Sequence, residues 1–177
     1  GPECRINTTT TNYQLEPKVT GLSDGSFAVV WTDGSGADGS SYGIYMQRVN
    51  AAGQLLGSEQ KVNTFRTNDQ AQPSIAAYNG GYVVTWYSNN QDGSSYGIYA
   101  QRYNSSGVAQ GSEFRVNTYT TDSQTEPSVA MATNSEMVAA SGRYLGLNRA
   151  RSVVACGAGW FTVPKPAVLG TALIGEL

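Results

Sequence analysis

The carboxylates are the residues best equipped for chemistry, yet their spacing argues against it. Glu3, Glu59 and Glu113 stand in the same local context, 56 and 54 residues apart. Asp38 and Asp92 repeat likewise, 54 apart. A general acid and its partner are needed once, in one cleft. Carboxylates echoed in every unit are expected at turns and strand ends. There they satisfy backbone N–H groups or pair with the equally repeated Arg5/Lys61/Arg115 and Arg48/Arg102. The chain contains no His, which removes Ser-His-Asp chemistry, imidazole acid–base catalysis and His-ligated metals. A glycosidase with paired carboxylates is the enzyme class left over. The echo weighs against it, and the chain is expected to be no enzyme.

Other side chains offer binding rather than catalysis. Asp38 and Asp92 lie in DGSS turns, close to Asp33 in one unit and to Asn89 and Asn90 in the next. Oxygen-rich Gly turns can hold Ca²⁺, although the spacing is not that of an EF-hand, and Asp-Gly turns form without metal. Calcium is the one cofactor these residues suggest. Tyr42 and Tyr96 sit in the same Gly-rich turns, where an aromatic face can stack on a sugar ring. The repeated Trp31 and Trp86 are expected in the core. Cys4 and Cys156 are the two cysteines, and neither is a repeat feature. They form either a bridge worth on the order of 4–5 kcal/mol in the chain-entropy model or two free thiols. Asn7 and Asn104 open N-x-[ST] sequons and are candidate N-glycosylation sites.

The elements that must position these residues come as an internal repeat. GPECRINTTTTNYQLEP from Gly1, GSEQKVNTFRTNDQAQP from Gly57 and GSEFRVNTYTTDSQTEP from Gly111 share one pattern. The repeat region is 1–134, with units 1–56 and 57–110 and a partial unit 111–134. A tail or cap of different composition, 135–177, completes what is expected to be one structural domain. Each unit is predicted to form four strands. These are the joining segment (ECRINT, EQKVNT), the segment after the proline (PKVTGL, PSIAAY), the apolar FAVVW or YVVTW, and the alternating GIYMQRVN or GIYAQRYN. SDGS, NGG, NAAG and NSSG supply the turns. No stretch has helical periodicity. The fold class is all-β, built of four-stranded antiparallel units resembling β-propeller blades, with a two-sheet sandwich as the alternative.

Composition narrows the setting. Eleven basic and 13 acidic residues leave a net charge of −2, which gives no electrostatic case for nucleic acid. No apolar run approaches the roughly 20 residues of a membrane span. There is no initiator Met and no leader pattern, so the chain reads as mature or processed.

Gln70-Ala-Gln-Pro73, Gln91–Arg102 and Gly111–Thr118 resemble the tandem β repeats of very large secreted and surface proteins of bacteria, often beside haemolysin-type calcium-binding repeats. The resemblance covers about residues 1–134 and implies an extracellular or cell-surface spacer or adhesive module. The expected function is therefore a non-catalytic structural or adhesive protein. In this reading Glu3, Cys4, Arg5, Ile6, Asn7 and Thr8 form a strand that adds to a neighbouring subunit's sheet, giving a homo-oligomer or fibre. A carbohydrate-binding module that contacts glycans through Tyr42 and Tyr96 is one alternative, and a calcium-stabilised adhesin repeat is another.

Overall fold

The computed structural model describes residues 3–37, 39–132, 137–145 and 150–158. Its strands form three antiparallel sheets. The first comprises β1 (Gln14–Gly21), β2 (Phe27–Asp33), β3 (Gly43–Val49) and β4 (Leu55–Lys61) in that order. The second repeats it with β5 (Gln70–Tyr78), β6 (Gly81–Asn89), β7 (Tyr96–Asn104) and β8 (Phe114–Arg115). The third contains β9 (Ser123–Met131), β10 (Met137–Leu145) and β11 (Ala150–Ala158). The fold is all-β and blade-like, as the sequence pattern predicts. Among the described residues no helix is long and apolar enough to cross a membrane.

Turn chemistry explains the meanders. Asn50 Oδ1 accepts the N–H groups of Ala52 and Gln54, at 3.0 and 2.9 Å, while Gly53 takes φ 81°. Asn104 does the same for Ser106 and Val108, with Gly107 at φ 82°. Positive φ is cheap for Gly, and the Asn side chain stands in for a backbone turn.

The sheets pack face to face through two apolar layers. Val30, Ile44 and Met46 of sheet one meet Tyr82, Val84 and Trp86 of sheet two. Val83 and Ala100 point the other way and meet Met137 and Ala139 of sheet three. Strand β6 is thus buried on both faces, which is why its sequence is a continuous apolar and β-branched run. Tyr82 stacks on Tyr103 with ring centroids 5.2 Å apart. Trp86 is fully buried in the first layer. Trp86→Ala is expected to cost about 3–5 kcal/mol, lowering Tm by on the order of 10 °C in a chain of this size. A thermal melt checks it.

One element lies elsewhere than predicted. The EQKVNT segment does not open a unit. Residues up to Lys61 form the outermost strand of sheet one, and residues 62–69 cross to the inner strand of sheet two. Glu3–Thr8, the segment expected to form a self-assembly strand, forms no strand here. It is instead tied to sheet one by Glu59. Glu59 Oε2 accepts the Thr8 N–H (2.7 Å), the Thr8 hydroxyl (2.9 Å) and the Thr9 N–H (3.3 Å), and Oε1 accepts the Thr9 hydroxyl (2.9 Å). Glu113 holds Thr64 in the same way, at 2.7 and 2.9 Å.

The Glu59 clamp carries a pH dependence. Burial pushes the Glu59 carboxyl up, but the hydrogen bonds from Thr8 and Thr9 outweigh it, and the net shift is downward from 4.5. A depressed folded-state pKa adds stability above the unfolded value, and that stability is lost as pH falls through the folded one. Wild type should therefore lose stability below about pH 4.5 relative to Glu59→Gln. Because the group is only half-buried and solvent screens it, the difference is small, about 1–3 °C in Tm. Parallel pH series of melts would show the two curves converging in acid.

Candidate functional site

The first strand of each sheet carries Gln-x-[Glu/Gln]-Pro near its start: Gln14-Leu-Glu-Pro17, Gln70-Ala-Gln-Pro73 and Gln124-Thr-Glu-Pro127. Each strand is bulged at this point, and Glu16, Gln72 and Glu126 have φ of 54°, 55° and 53°. Left-handed backbone at a non-Gly residue costs on the order of 1–3 kcal/mol and persists only where its surroundings enforce it. Pro tolerates the bulge because the ladder donor is already lost there.

The bulges interlock. Strands β1, β5 and β9 are neighbours in space, as the inner strands of successive blades are. Glu16 Oε2 accepts the Gln72 N–H at 2.9 Å and the hydroxyl of buried Thr32 at 2.9 Å. Gln72 Oε1 in turn accepts the Glu126 N–H at 3.0 Å. Together with Lys18, Pro73 and Pro127, these three side chains line a pocket of about 230 Å³. Two carboxylates, one amide and one ammonium therefore share a small opening along the neighbouring first strands. Glu16 Oε1 and the Glu126 carboxyl accept no hydrogen bond among the described residues.

Aromatic groups stand beside this ring. Burial, then the nearby Tyr96, Asp69, Glu16 and Tyr42, push the Tyr87 hydroxyl up to about 12. Tyr96 packs edge-on against Tyr87, with centroids 4.9 Å apart and planes at 69°. The two tyrosines expected to stack on sugar, Tyr42 and Tyr96, thus both lie near Tyr87, which is itself within electrostatic range of Glu16. Both are half-buried rather than fully presented.

The other predicted residues lie apart. Asp92 Oδ1 accepts the Ser94 N–H at 3.1 Å, closing its own turn, and Asp38 lies outside the described residues. No three His, Cys, Asp or Glu side chains group as a metal centre among the described residues. Cys4 is an exposed free thiol, and the side chain of Cys156 lies outside the described residues. Asn7 uses its Nδ2 to bond the Thr9 carbonyl at 2.6 Å, and Asn104 is the turn residue described above. Arg48 pairs with Asp24 at 3.5 Å.

No family model and no curated protein sequence matches the chain. Solved structures do. An α-L-arabinofuranosidase from Lactobacillus brevis superposes with a TM-score of 0.56 at 13% identity, over 90% of this chain and 56% of its own. The α-L-arabinanase of Penicillium chrysogenum, complexed with arabinobiose, gives 0.55 at 14%, over 81% and 45%. An endo-arabinase from Bacteroides thetaiotaomicron VPI-5482 gives 0.56 at 13%, over 88% and 59%. The chain spans about half the length of these proteins. At such identity the likeness is one of fold, the five-bladed-propeller-like fold of family-43 glycoside hydrolases.

This finding corrects two expectations, that the chain is no enzyme and that it is a structural or adhesive protein forming fibres. The similar structures are glycoside hydrolases. The physical reason lies in the geometry of blades. The repeated carboxylates are expected at turns and strand ends, and Glu59, Glu113 and Asp92 do bond backbone N–H groups, but neighbouring first strands also bring equivalent positions into one pocket. A repeat can therefore assemble a single cleft from its own echoes, as Glu16, Gln72 and Glu126 do.

Proposed function

We propose that this chain is part of a carbohydrate-processing propeller that hydrolyses a glycosidic bond at the pocket between its first strands. The observation that carries this reading is the shared pocket of Glu16, Gln72 and Glu126 on three strained bulges. Glycoside hydrolysis needs two carboxyl groups flanking the scissile bond. Glu16, fixed by Thr32 and the Gln72 N–H, is the positioned carboxylate that acts as base or nucleophile. Glu126, with no competing hydrogen bond among the described residues, delivers the proton to the leaving oxygen. Lys18 and Gln72 offer donors to sugar hydroxyls, and the tyrosines around Tyr87 border the approach. The resemblance of the repeats to secreted and surface proteins of bacteria supports an extracellular setting, and the similar arabinanase folds support a polysaccharide substrate.

The test is direct. Purified protein is incubated with arabinan and with a panel of aryl glycosides, and released reducing sugar and aryl alcohol are measured. Turnover that disappears in Glu16→Gln is expected. No release from any substrate by well-folded wild type would refute the proposal.

A further inference from the structure

The first two sheets differ at one buried spot. Gln14 and Asp33 face each other across β1 and β2, and their equivalents in sheet two are Gln70 and Ser88. In sheet two every polar atom of this pair is used. Gln70 Oε1 accepts Asn63 Nδ2 at 3.0 Å. Its Nε2 donates to the carbonyls of Thr67 (2.9 Å) and Asn68 (3.2 Å) and reaches Ser88 Oγ at 3.5 Å. The last contact shows that the two side chains of this register pair meet on one side of the sheet.

In sheet one the same corner is left open. Gln14 Nε2 donates to the Thr11 carbonyl at 3.3 Å, but Gln14 Oε1 is buried without a partner. Asp33 is 1% exposed. Its Oδ1 accepts the Ser35 N–H at 2.7 Å, while Oδ2 is buried without a partner. Asn7, the counterpart of Asn63, spends its Nδ2 on Thr9. Two buried acceptor oxygens, one of them from a carboxylate, therefore belong to facing residues of one register pair, and neither has a hydrogen-bond partner among the described residues. An uncompensated buried carboxylate is costly, and the partners that compensate one are donors or cations.

We propose that Gln14 Oε1 and Asp33 Oδ2 ligate a hard, oxygen-seeking cation of the Ca²⁺ class. Such an ion takes six to eight oxygens, the remainder coming from backbone carbonyls and water. One carboxylate among neutral oxygens is a low charge count, which places the affinity at the weak end, on the order of 10⁻⁴–10⁻³ M. The site pins the start of β1 to the end of β2, in place of the Asn–Gln–Ser network of sheet two. It is independent of the glycosidase reading.

Chelator-treated, desalted protein is melted in rising CaCl₂ at constant ionic strength set with choline chloride. At 10 mM Ca²⁺ a Tm rise of roughly 3–6 °C is expected. Asp33→Ser, which installs the residue of sheet two, should flatten the response, and so should the near-isosteric Asp33→Asn. On unmodified protein, Tb³⁺ should give emission sensitised by Trp31, two residues from Asp33, and Ca²⁺ should displace it. Wild type with neither a Tm rise nor Tb³⁺ emission would overturn the proposal. So would a folded Asp33 variant that keeps the full Ca²⁺ response.

Discussion

Glu126→Gln is expected to slow glycoside hydrolysis by about 10²–10⁴-fold, while Tm moves by no more than a degree or two. The two halves of this prediction come from different observations. The Glu126 carboxyl accepts no hydrogen bond among the described residues, so its removal leaves no buried partner unsatisfied, and exposed substitutions of this kind usually stay within ±0.5 kcal/mol. The backbone N–H that bonds Gln72 Oε1 is untouched by the change. Glu16→Gln should be as damaging to turnover but costlier to the fold, because Glu16 Oε2 holds both Thr32 and Gln72. An amide oxygen accepts these bonds less strongly than a carboxylate. Steady-state kinetics and melts on the same preparations separate the effects. Equal turnover in wild type and Glu126→Gln would remove Glu126 from the chemistry.

The carboxylates on which this prediction rests were in plain sight in the sequence and were passed over. Glu16 and Glu126 precede the prolines that mark each unit. A proline suits the first residue of a strand, which leaves the residues before it in the connection. The strands in fact start three or four residues before each proline and bulge through it. The Gln-x-[Glu/Gln]-Pro echo was the available signal. What it lacked was the juxtaposition of neighbouring first strands, which no local pattern encodes. Strand identity and turn chemistry, by contrast, were legible, because the period-2 alternation of GIYMQRVN and the Asn-x-x-Gly turns are local properties. Sheet membership was not. EQKVNT alternates equally well whether it begins one sheet or ends another, and only the ladder between Tyr45 and Lys61 decides.

The seam where one sheet hands over to the next supplies the second large effect. Asn63 is 1% exposed and stands at that crossing. Its Oδ1 accepts the Ile44 N–H at 2.8 Å, while Nδ2 donates to the carbonyl of Phe65 at 2.7 Å and to Gln70 Oε1 at 3.0 Å. One side chain thus ties β3 of sheet one to the inner strand of sheet two. Asn117 repeats this with Ile98, Tyr119 and Gln124, at 2.7, 2.6 and 3.0 Å. Asn63→Ala strands a buried donor and a buried acceptor, each worth about 1–3 kcal/mol when left unmade. A loss of about 3–5 kcal/mol and a Tm drop on the order of 10 °C are expected. Asn63→Asp is the sharper control. It keeps an acceptor for Ile44 but turns a second oxygen towards Phe65 O and Gln70 Oε1, so it should destabilise at least as much at neutral pH. Asn7→Ala, at the third equivalent position, removes only the bond to Thr9 from a half-buried site and should cost about 1 kcal/mol. The order Asn63→Ala far below Asn7→Ala follows from burial and partner number alone. Equal melting temperatures for the two variants would mean that the Asn–Gln seam does not couple the blades.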